Sequence, residues 1–386
     1  MINVTSGAIS AAHTTASGPG TAEGLAGTPL SFLIFTGDSF GNPRAFSADQ
    51  ARDDISEGQE RSFGVELVPW PEVMDNSAYL SSLSAILNIK GVTTDLLDGS
   101  FSAAYRSTVS GTYHMNIDYG GEPISGSPFA VTINAGAVSA QQCTASGTGL
   151  TSAQAGNTAT FYVNANDEYG NLNANAGSED FATMFLYQLP DDSPTMTLPT
   201  VSAEINHVGG GKYLCSYNAT ASGTYLLQVQ RDSQPVAITF GNSFFTLIVI
   251  PGLTNADKCI AEGLGLSGGT AGGTQNFGIV ARDQYSNAIP VGGDHFVVQV
   301  AMTVGSLEDR YGVGTDPSIG ELVLGTVVDN NDGTYQVEYT AILDGTFTLT
   351  TKLNGADNIV NSPTEVILNK AQPPSTTSPH CISICT

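Results

Sequence analysis

The chain has 386 residues, with 12 Lys and Arg against 36 Asp and Glu, which gives a formal net charge of −24. This acidity argues against nucleic-acid binding, because phosphate contacts need clustered Lys and Arg, and against a polybasic membrane-surface protein. No run of about 18 apolar residues occurs, so no transmembrane helix is predicted. The 44 glycines, together with abundant Thr, Ser, Val and Tyr, favour strands and turns over helices.

The first elements in chain order form a block that occurs three times. An Ala-x-Gly-x-Gly motif stands at 16–20, 145–149 and 261–265, and an apolar run follows each copy. A turn comes next, and its first residue is Asp38, Asp167 or Asp283. The turns and the Ala-x-Gly-x-Gly motifs share the same two offsets along the chain, so the three segments are copies of one duplicated unit.

A second group of motifs follows each turn. Asp-Gly-Ser-Phe at 98–101 and Asp-Gly-Thr-Tyr at 332–335 precede alternating runs, and Gly-Thr-Tyr or Gly-Thr-Phe opens another alternating run further on. About seven short alternating runs separated by Gly, Asp, Asn and Pro turns predict a two-sheet antiparallel sandwich of roughly 100 residues. We expect Tyr113 and Tyr225 to brace a corner of their sandwiches. Phe347 lacks the hydroxyl, so the third unit must be braced in another way.

The order of these motifs resembles the filamin-type immunoglobulin-like repeat. The resemblance rests on the Gly-x-Gly opening, the Asp-x-Tyr/Phe-x-Asn turn, Gly292-Gly293-Asp294-His295-Phe296, Gly-Thr-Tyr and Ser127-Pro128-Phe129. It implies an all-β fold, a tandem array of three Ig-like antiparallel β-sandwich domains. We refer to these as unit 1 (11–135, with an insertion at about 43–62), unit 2 (136–250) and unit 3 (251–370).

The two ends of the chain resemble parts of further repeats. Residues 1–10 match the last strand of unit 1 and the linker that follows it, and 371–386 read as a Pro/Ser/Thr linker and the start of another repeat. One interpretation is a window on a longer array. The other is that the leading strand, with Ile2 and Val4 as interface residues, completes the sheet of a neighbouring molecule. Both predict self-association or neighbouring repeats as the partners.

The sequence predicts no enzyme, no cofactor and no metal site. The five histidines are scattered singly, and no P-loop appears. The stretch 263–269 fits both a dinucleotide fingerprint and a nucleophile-elbow pattern around Ser267, but the Gly-rich residues after it are a poor start for the helix that both motifs require. Calcium at the junctions between units would need an Asp-x-Asp-x-Asp ladder, which is lacking.

The five cysteines divide into one core residue and four candidates for crosslinks. Cys215 shares its strand face with Tyr213 and Tyr217, so we expect a buried thiol. Cys143 forms a bridge with Cys215 only if their strands lie close enough, whereas the other three are either free thiols or partners in bridges between units or between chains: Cys259, Cys381 and Cys385.

Two sequons and the composition point to the outside of the cell. Asn3 and Asn218 are candidate glycosylation sites, and Asn218 has the outward parity that a glycan requires. The Pro-Ser-Thr stretch at 371–379 is of a type that often carries O-linked glycans. We therefore expect an extracellular or cell-surface glycoprotein.

Three functions are consistent with these features. The first is a structural, non-catalytic segment of an elongated extracellular filament or fibre built from end-to-end Ig-like domains. The alternative is a cell-surface adhesion or recognition ectodomain, with the insertion of unit 1 and Trp70 as a contact surface. The third, suggested by the family, is a cytoplasmic actin-associated scaffold, which the sequons and the Pro-Ser-Thr tail fit poorly.

Overall fold

The computed structural model describes residues 6–44, 62–69, 89–177, 181–188, 194–195, 201–236, 244–303 and 321–370. Within these ranges the chain forms thirty β-strands, and its helical turns are three-residue 3-10 turns. The turns are Ala11–His13, Pro19–Thr21, Thr148–Leu150, Ala256–Lys258 and Leu264–Leu266. The predicted all-β fold class is therefore confirmed.

Unit 1 is a sandwich of two sheets. One sheet has the order β1-β3-β7-β6; the other has the order β2-β10-β8-β4-β5, and β9 also pairs with β8. Neighbouring strands are antiparallel except for β2 and β10, which run parallel. The strands are β1 (Thr15–Ser17), β2 (Glu23–Leu25), β3 (Pro29–Phe35), β4 (Phe63–Pro69), β5 (Ile89–Lys90), β6 (Val92–Asp95), β7 (Ser100–Arg106), β8 (Gly111–Tyr119), β9 (Glu122–Pro123) and β10 (Phe129–Asn134).

Units 2 and 3 repeat this topology strand for strand. Unit 2 contains β11 (Thr144–Ser146), β12 (Ser152–Gln154), β13 (Thr158–Asn164), β14 (Phe181–Gln188), β15 (Pro194–Thr195), β16 (Ala203–Gly209), β17 (Lys212–Asn218), β18 (Gly223–Arg231), β19 (Gln234–Pro235) and β20 (Phe245–Ile250). Unit 3 contains β21 (Ile260–Glu262), β22 (Gly268–Thr270), β23 (Gln275–Val280), β24 (Phe296–Met302), β25 (Leu322–Leu324), β26 (Thr326–Asp329), β27 (Thr334–Tyr339), β28 (Gly345–Leu353), β29 (Asp357–Asn358) and β30 (Thr364–Asn369).

Alternation along the strands decides which side chains enter the core of each sandwich. On β17 the side chains of Tyr213, Cys215 and Tyr217 are all buried, whereas Lys212 and Asn218 are exposed. Successive side chains of a strand point to opposite faces, so the apolar face of each sheet meets the apolar face of the other. The inward parity predicted for Cys215 is confirmed.

The Ala-x-Gly-x-Gly motif crosses from the first sheet to the second. Its second glycine lies against the backbone of the next strand: a Cβ on Gly20 would come within 2.8 Å of the Ser31 carbonyl oxygen. The Gly20 carbonyl in turn accepts a hydrogen bond of 2.7 Å from the buried Tyr105 hydroxyl. Tyr217 and Tyr339 make the matching bonds to Gly149 and Gly265. The glycine is required because the backbones approach so closely.

The predicted tyrosine corners are present in units 1 and 2. The hydroxyl of Tyr113 donates to the Val109 carbonyl at 2.9 Å, and that of Tyr225 donates to the Ala221 carbonyl at 2.9 Å. Each ring is buried, so the hydroxyl bond fixes the loop that leads into the strand.

Unit 3 braces the same corner with a carboxylate. Phe347 is fully buried at the tyrosine position. The Glu321 carboxylate accepts hydrogen bonds from the backbone N–H groups of Ile342 (2.8 Å) and Leu343 (2.9 Å) instead. The expectation that unit 3 must be braced in another way is thus confirmed.

Candidate functional site: the joints between units

The Asp-x-Tyr/Phe-x-Asn turn organises the joint between successive units. In unit 2, one oxygen of the Asp167 carboxylate, Oδ1, accepts the N–H groups of Tyr169 and Asn171, both at 2.9 Å. The other, Oδ2, accepts the Asn171 side-chain amide and the backbone N–H of Gly136, both at 2.8 Å. Gly136 lies in the linker that follows β10, so one carboxylate ties the turn to the linker.

The asparagine of the turn reaches across to the preceding unit. Asn171 Nδ2 donates to the Thr108 carbonyl at 2.8 Å, and its Oδ1 accepts the Ser110 N–H at 2.9 Å. Both partners belong to the corner between β7 and β8 of unit 1. The side-chain amide thus forms hydrogen bonds with one donor and one acceptor of the neighbouring sandwich, and these bonds fix the relative position of the two units.

The joint between units 2 and 3 repeats these contacts. Asp283 accepts the N–H groups of Tyr285 and Asn287 at 2.9 Å and that of Gly252 at 2.8 Å. Asn287 donates to the Thr220 carbonyl at 2.8 Å and accepts the N–H of Ser222 at 2.9 Å. Two joints in one chain therefore use the same donors and acceptors at the same positions.

The tyrosine of each turn is seated on a glycine of the preceding unit. The Tyr169 ring lies against Gly27, and the Tyr285 ring lies against Gly156, so tightly that a Cβ on either glycine would overlap the ring. Gly27 and Gly156 have φ of 81° and 82°, which also disfavours any other residue there. Arg106 adds a hydrogen bond of 3.0 Å to the Tyr169 hydroxyl in the first joint.

The joint carboxylates are held in the charged form. Burial by itself raises the pKa of Asp167 and Asp283. Hydrogen bonds from the asparagine side chain, the linker glycine and the two turn N–H groups outweigh burial, and they hold the pKa of each carboxyl below its usual value. Each carboxylate faces four N–H donors, so its lone pairs are already used by the protein itself. A carboxylate with all its lone pairs in use can tie a joint together but has no lone pair left to coordinate a cation.

Unit 1 carries the same turn at its leading face. Asp38 accepts the N–H groups of Phe40 (2.9 Å), Asn42 (3.0 Å) and Gly7 (3.0 Å), and the Asn42 side chain as well. These bonds, the one from Gly7 foremost, lower the pKa of Asp38 well below its usual value. The aromatic residue differs: Phe40 is 87% exposed, whereas Tyr169 and Tyr285 are 36% and 39% exposed.

Three of the site residues that the sequence predicted lie within the described residues. Asn218 is exposed, and its Nδ2 donates to the Gly156 carbonyl at 3.0 Å. Cys143 and Cys259 are buried free thiols, and burial raises the pKa of both. Neither thiol lies at a surface where a second chain could reach it.

The remaining predicted residues fall outside the described part of the chain. These are Ile2, Asn3, Val4, Trp70, Cys381 and Cys385, together with most of the insertion at about 43–62. Their assignments as interface, glycosylation and crosslink residues stay predictions.

The part of the chain that the structure describes lacks three other kinds of feature. Among its residues, no group of three or more His, Cys, Asp or Glu side chains is placed to hold a metal ion. No helix in the described ranges has the length and apolar character to cross a membrane. The stretch around Ser267 forms a 3-10 turn and then strand β22, where a dinucleotide fingerprint or a nucleophile elbow would need a helix.

The sequence predicts the Asp turn but not its role as a joint. The residues it missed are the linker glycines and the corner residues that the turn contacts. A signal was present: Gly7, Gly136 and Gly252 each lie 31 positions before the Asp they contact. A fixed glycine-to-Asp offset in three copies indicates a contact that a single copy cannot reveal.

Comparisons with known proteins agree with this architecture. The Filamin/ABP280 repeat matches residues 8–130, 137–238 and 253–365. Filamin-C of Rattus norvegicus is 30% identical over 250 residues, which cover 64% of this chain and 8% of that protein. Protein GAMETE EXPRESSED 2 of Arabidopsis thaliana is 21% identical over 282 residues, 73% of this chain and 28% of the relative. The chain thus spans a small part of both relatives.

The fold is also similar to that of a solved bacterial protein. The Escherichia coli adhesin FdeC superposes with a TM-score of 0.53 at 17% identity, over 96% of this chain and 100% of that one. At this identity the likeness concerns the fold. The three matched repeats, which cover most of the chain, establish that it belongs to the Filamin/ABP280 repeat family.

Proposed function

We propose that this chain is a non-catalytic structural segment of an elongated extracellular assembly, in which it holds three Ig-like sandwiches in a fixed row. The observation that carries the proposal is the structure of the two joints. In each joint a carboxylate accepts four N–H groups, an asparagine side chain bonds the corner of the preceding unit, and a tyrosine ring packs against a glycine of that unit. A flexible string of domains has no need of such contacts.

The joints favour a mechanical role because they restrict bending. Each joint holds the linker, the turn and the preceding corner together through the bonds of one Asp and one Asn. Bending at the joint would break the two hydrogen bonds that the asparagine side chain makes to the preceding corner, and it would separate the tyrosine ring from its glycine. A row of such joints behaves as a stiff rod.

The cell-surface location is part of the proposal. The exposed position of Asn218 suits a glycan, and the scarcity of Lys and the Pro-Ser-Thr stretch favour the outside of the cell. Secretion of the chain from a eukaryotic host, followed by glycopeptide mass spectrometry, tests this point. An unmodified Asn218 in secreted protein would remove this support.

An adhesion ectodomain is the second candidate. A stiff row of sandwiches also serves as a spacer that holds a binding surface away from the cell, and FdeC, whose fold is similar, is itself named an adhesin. This function needs a contact surface, for which Trp70 is the predicted residue. Binding of the chain to cells that is lost on Trp70→Ala would favour it over a purely structural role.

Small-angle X-ray scattering of the full chain, in dilute reducing solution, tests stiffness. We expect the wild type to give the scattering of one extended particle, and Asn171→Ala/Asn287→Ala to give that of a flexible chain. Asn164→Ala is the matched control, because Asn164 bonds Thr144 within unit 2. A wild type that bends as freely as the joint variant would refute the proposed function.

A further inference from the structure

A cavity of about 320 Å³ lies at the joint between units 2 and 3. Gln154 and Asn157 line it from unit 2, and Asn255 and Gln284 line it from unit 3. Four side-chain amides therefore surround one space, and Leu253, which is 87% exposed, adds an apolar edge. No charged side chain is among the described residues that line this cavity. Cavities of this size at domain boundaries are common sites for small ligands.

The amides keep hydrogen-bonding groups that a ligand can use. Asn157 donates to Gln154 Oε1 at 2.7 Å, and Asn255 Oδ1 accepts the Asp257 N–H at 2.9 Å. The Asn255 Nδ2 group and the Gln284 amide have no hydrogen-bond partner among the described residues. Neutral amides offer both donors and acceptors, which suits the hydroxyl groups of an uncharged ligand. The net charge of −24 disfavours an anion, and a wall without carboxylates lacks the ligands that a hard cation prefers.

An extended peptide would find backbone donors of the cavity wall already in use. The N–H groups of Ala155 and Asn255 donate to carbonyls of this chain, and that of Gly252 donates to the Asp283 carboxylate. Binding of a peptide main chain depends on free backbone groups at a strand edge. The side-chain amides are what the cavity offers instead. A sugar, whose hydroxyls surround a ring with apolar C–H faces, matches both the amides and Leu253.

The candidate glycosylation site Asn218 lies at the rim of this cavity. Its Nδ2 donates to the Gly156 carbonyl at 3.0 Å, and Gly156 stands between Ala155 and Asn157, which both line the cavity. In N-glycosylation, C1 of the first sugar forms a bond to Nδ2, Nδ2 loses one proton, and the pyrophosphate of a glycosyl donor leaves. One N–H remains on Nδ2, so the bond to Gly156 can be kept with the sugar attached. The first sugars therefore start beside the amides.

The first joint lacks both the sequon and the amides. Arg106 takes the place of Asn218, because its Nε donates to the Gly27 carbonyl at 2.7 Å as Asn218 donates to Gly156. The positions that correspond to the four amides are occupied there by Leu25, Thr28, Ser139 and Glu168. A sequon and four amides thus occur together at one joint, and the other joint has neither. This pairing indicates that the amides serve the glycan.

We propose that the first sugars of a glycan on Asn218 bind in this cavity and join unit 2 to unit 3. Gln154 and Gln284, which belong to different units, bond the sugar hydroxyls, and Leu253 packs against a ring face. A tethered sugar has an effective concentration on the order of millimolar, so a weak intrinsic affinity suffices. The inference rests on the proposed extracellular function, because N-linked glycans are a feature of secreted and surface chains.

Hydrogen–deuterium exchange of the full chain, secreted from a eukaryotic host, tests the proposal. The N–H groups of Gly252 and Asn255 bond Asp283 and Arg282, so exchange over 252–255 reports opening of the joint. We expect this segment to exchange about tenfold more slowly in the glycosylated wild type than in a chain without the glycan. A tenfold change is the effect of one or two net hydrogen bonds.

The chain without the glycan is Thr220→Ala. This substitution removes the sequon but keeps the Asn218 side chain and its bond to Gly156. It also keeps the Thr220 carbonyl, which accepts the Asn287 side chain in the joint. Any difference from the wild type therefore comes from the glycan rather than from a lost contact of the protein.

Two further variants separate binding in the cavity from the mere presence of a glycan. Gln154→Ala/Gln284→Ala should exchange over 252–255 as fast as Thr220→Ala, although its glycan is retained. Gln336→Ala is the matched control and should exchange like the wild type, because Gln336 is an exposed glutamine on β27 outside the cavity. The corresponding segment of the first joint, 136–139, should exchange alike in all four proteins.

The outcomes separate this inference from the proposed function. An unmodified Asn218 in the secreted chain overturns the glycan interaction, and so does equal exchange over 252–255 in the glycosylated wild type and Thr220→Ala. Slow exchange that Gln154→Ala/Gln284→Ala leaves unchanged also overturns it. In each case, small-angle X-ray scattering of Thr220→Ala still reports whether the three units form a stiff row through their protein contacts.

Discussion

Replacing Asp283 by asparagine removes half of a buried set of hydrogen bonds without changing its shape. Oδ1 accepts two N–H groups, from Tyr285 and Asn287, and Oδ2 accepts two more, from Gly252 and the Asn287 side chain. An amide has one oxygen and one NH2 group, and Asp283 is fully buried. Whichever way the amide turns, its NH2 group points at two donors.

The expected loss follows from counting these bonds. Two hydrogen bonds that end on a charged acceptor disappear, each worth about 1.5 kcal/mol at the low end of the usual range. The two donors left behind have no acceptor, which adds a desolvation cost. We therefore expect Asp283→Asn to lower the free energy of unfolding of unit 3 by about 3 kcal/mol.

Urea unfolding of the full chain, followed by circular dichroism and tyrosine fluorescence, measures this loss. Asp332→Asn is the matched control, because Asp332 is exposed and only its Oδ1 accepts from Thr334. An asparagine there can turn its oxygen toward Thr334 and keep these bonds. A stability change of Asp283→Asn as small as that of Asp332→Asn would refute the role assigned to the carboxylate.

Three further predictions follow from the same geometry. The pKa values of Asp167 and Asp283 are lower in the folded protein than in the unfolded chain, so both carboxylates stabilise the fold above the unfolded pKa of about 3.9. The thermal midpoint should therefore fall as the pH drops below about 4, and it should fall less steeply in Asp167→Asn/Asp283→Asn. An equal dependence of the midpoint on pH in both proteins would contradict this. Tyr225→Phe should lower the free energy of unfolding by about 1 kcal/mol in urea, because the Ala221 carbonyl loses its hydroxyl donor. Burial raises the pKa of Cys215 to about 12, so iodoacetamide should leave this thiol unmodified in folded protein at mildly alkaline pH. Peptide mass spectrometry measures the modification. Labelling of Cys215 before the protein unfolds would be inconsistent with a core thiol.

Much of the fold was predictable from the sequence because strand alternation is a local property. The parity that placed Tyr213, Cys215 and Tyr217 inward needs only the period of two of a strand, and all three are buried. The corner tyrosines were predictable for a similar reason, since Tyr113 and Tyr225 bond a carbonyl four residues earlier.

The joints were harder to predict because their contacts join distant parts of the chain. Asn171 meets Ser110 across 61 positions, and Asn287 meets Ser222 across 65. No periodicity links such positions, since the intervening strands must first fold into a sandwich. The role of Glu321 was not predictable for the same reason, because it braces the corner at Ile342 from 21 positions away. Unit 3 has Phe347 at the tyrosine position, so the hydroxyl that braces the other units is lacking there.

A comparison of the three copies of the turn distinguishes the contacts that stabilise a single unit from those that join two units. Each copy keeps the Asp cradle, even in unit 1, where the ring it carries lies exposed. The cradle therefore serves its own unit by tying the turn to the leading segment. The side chain beside the glycine varies instead: Arg106 donates to the Gly27 carbonyl and the Tyr169 hydroxyl in the first joint, and Asn218 donates to the matching Gly156 carbonyl in the second. The constant cradle therefore fixes the turn within its own unit, whereas the residue beside the glycine differs between two joints that keep the same asparagine contacts.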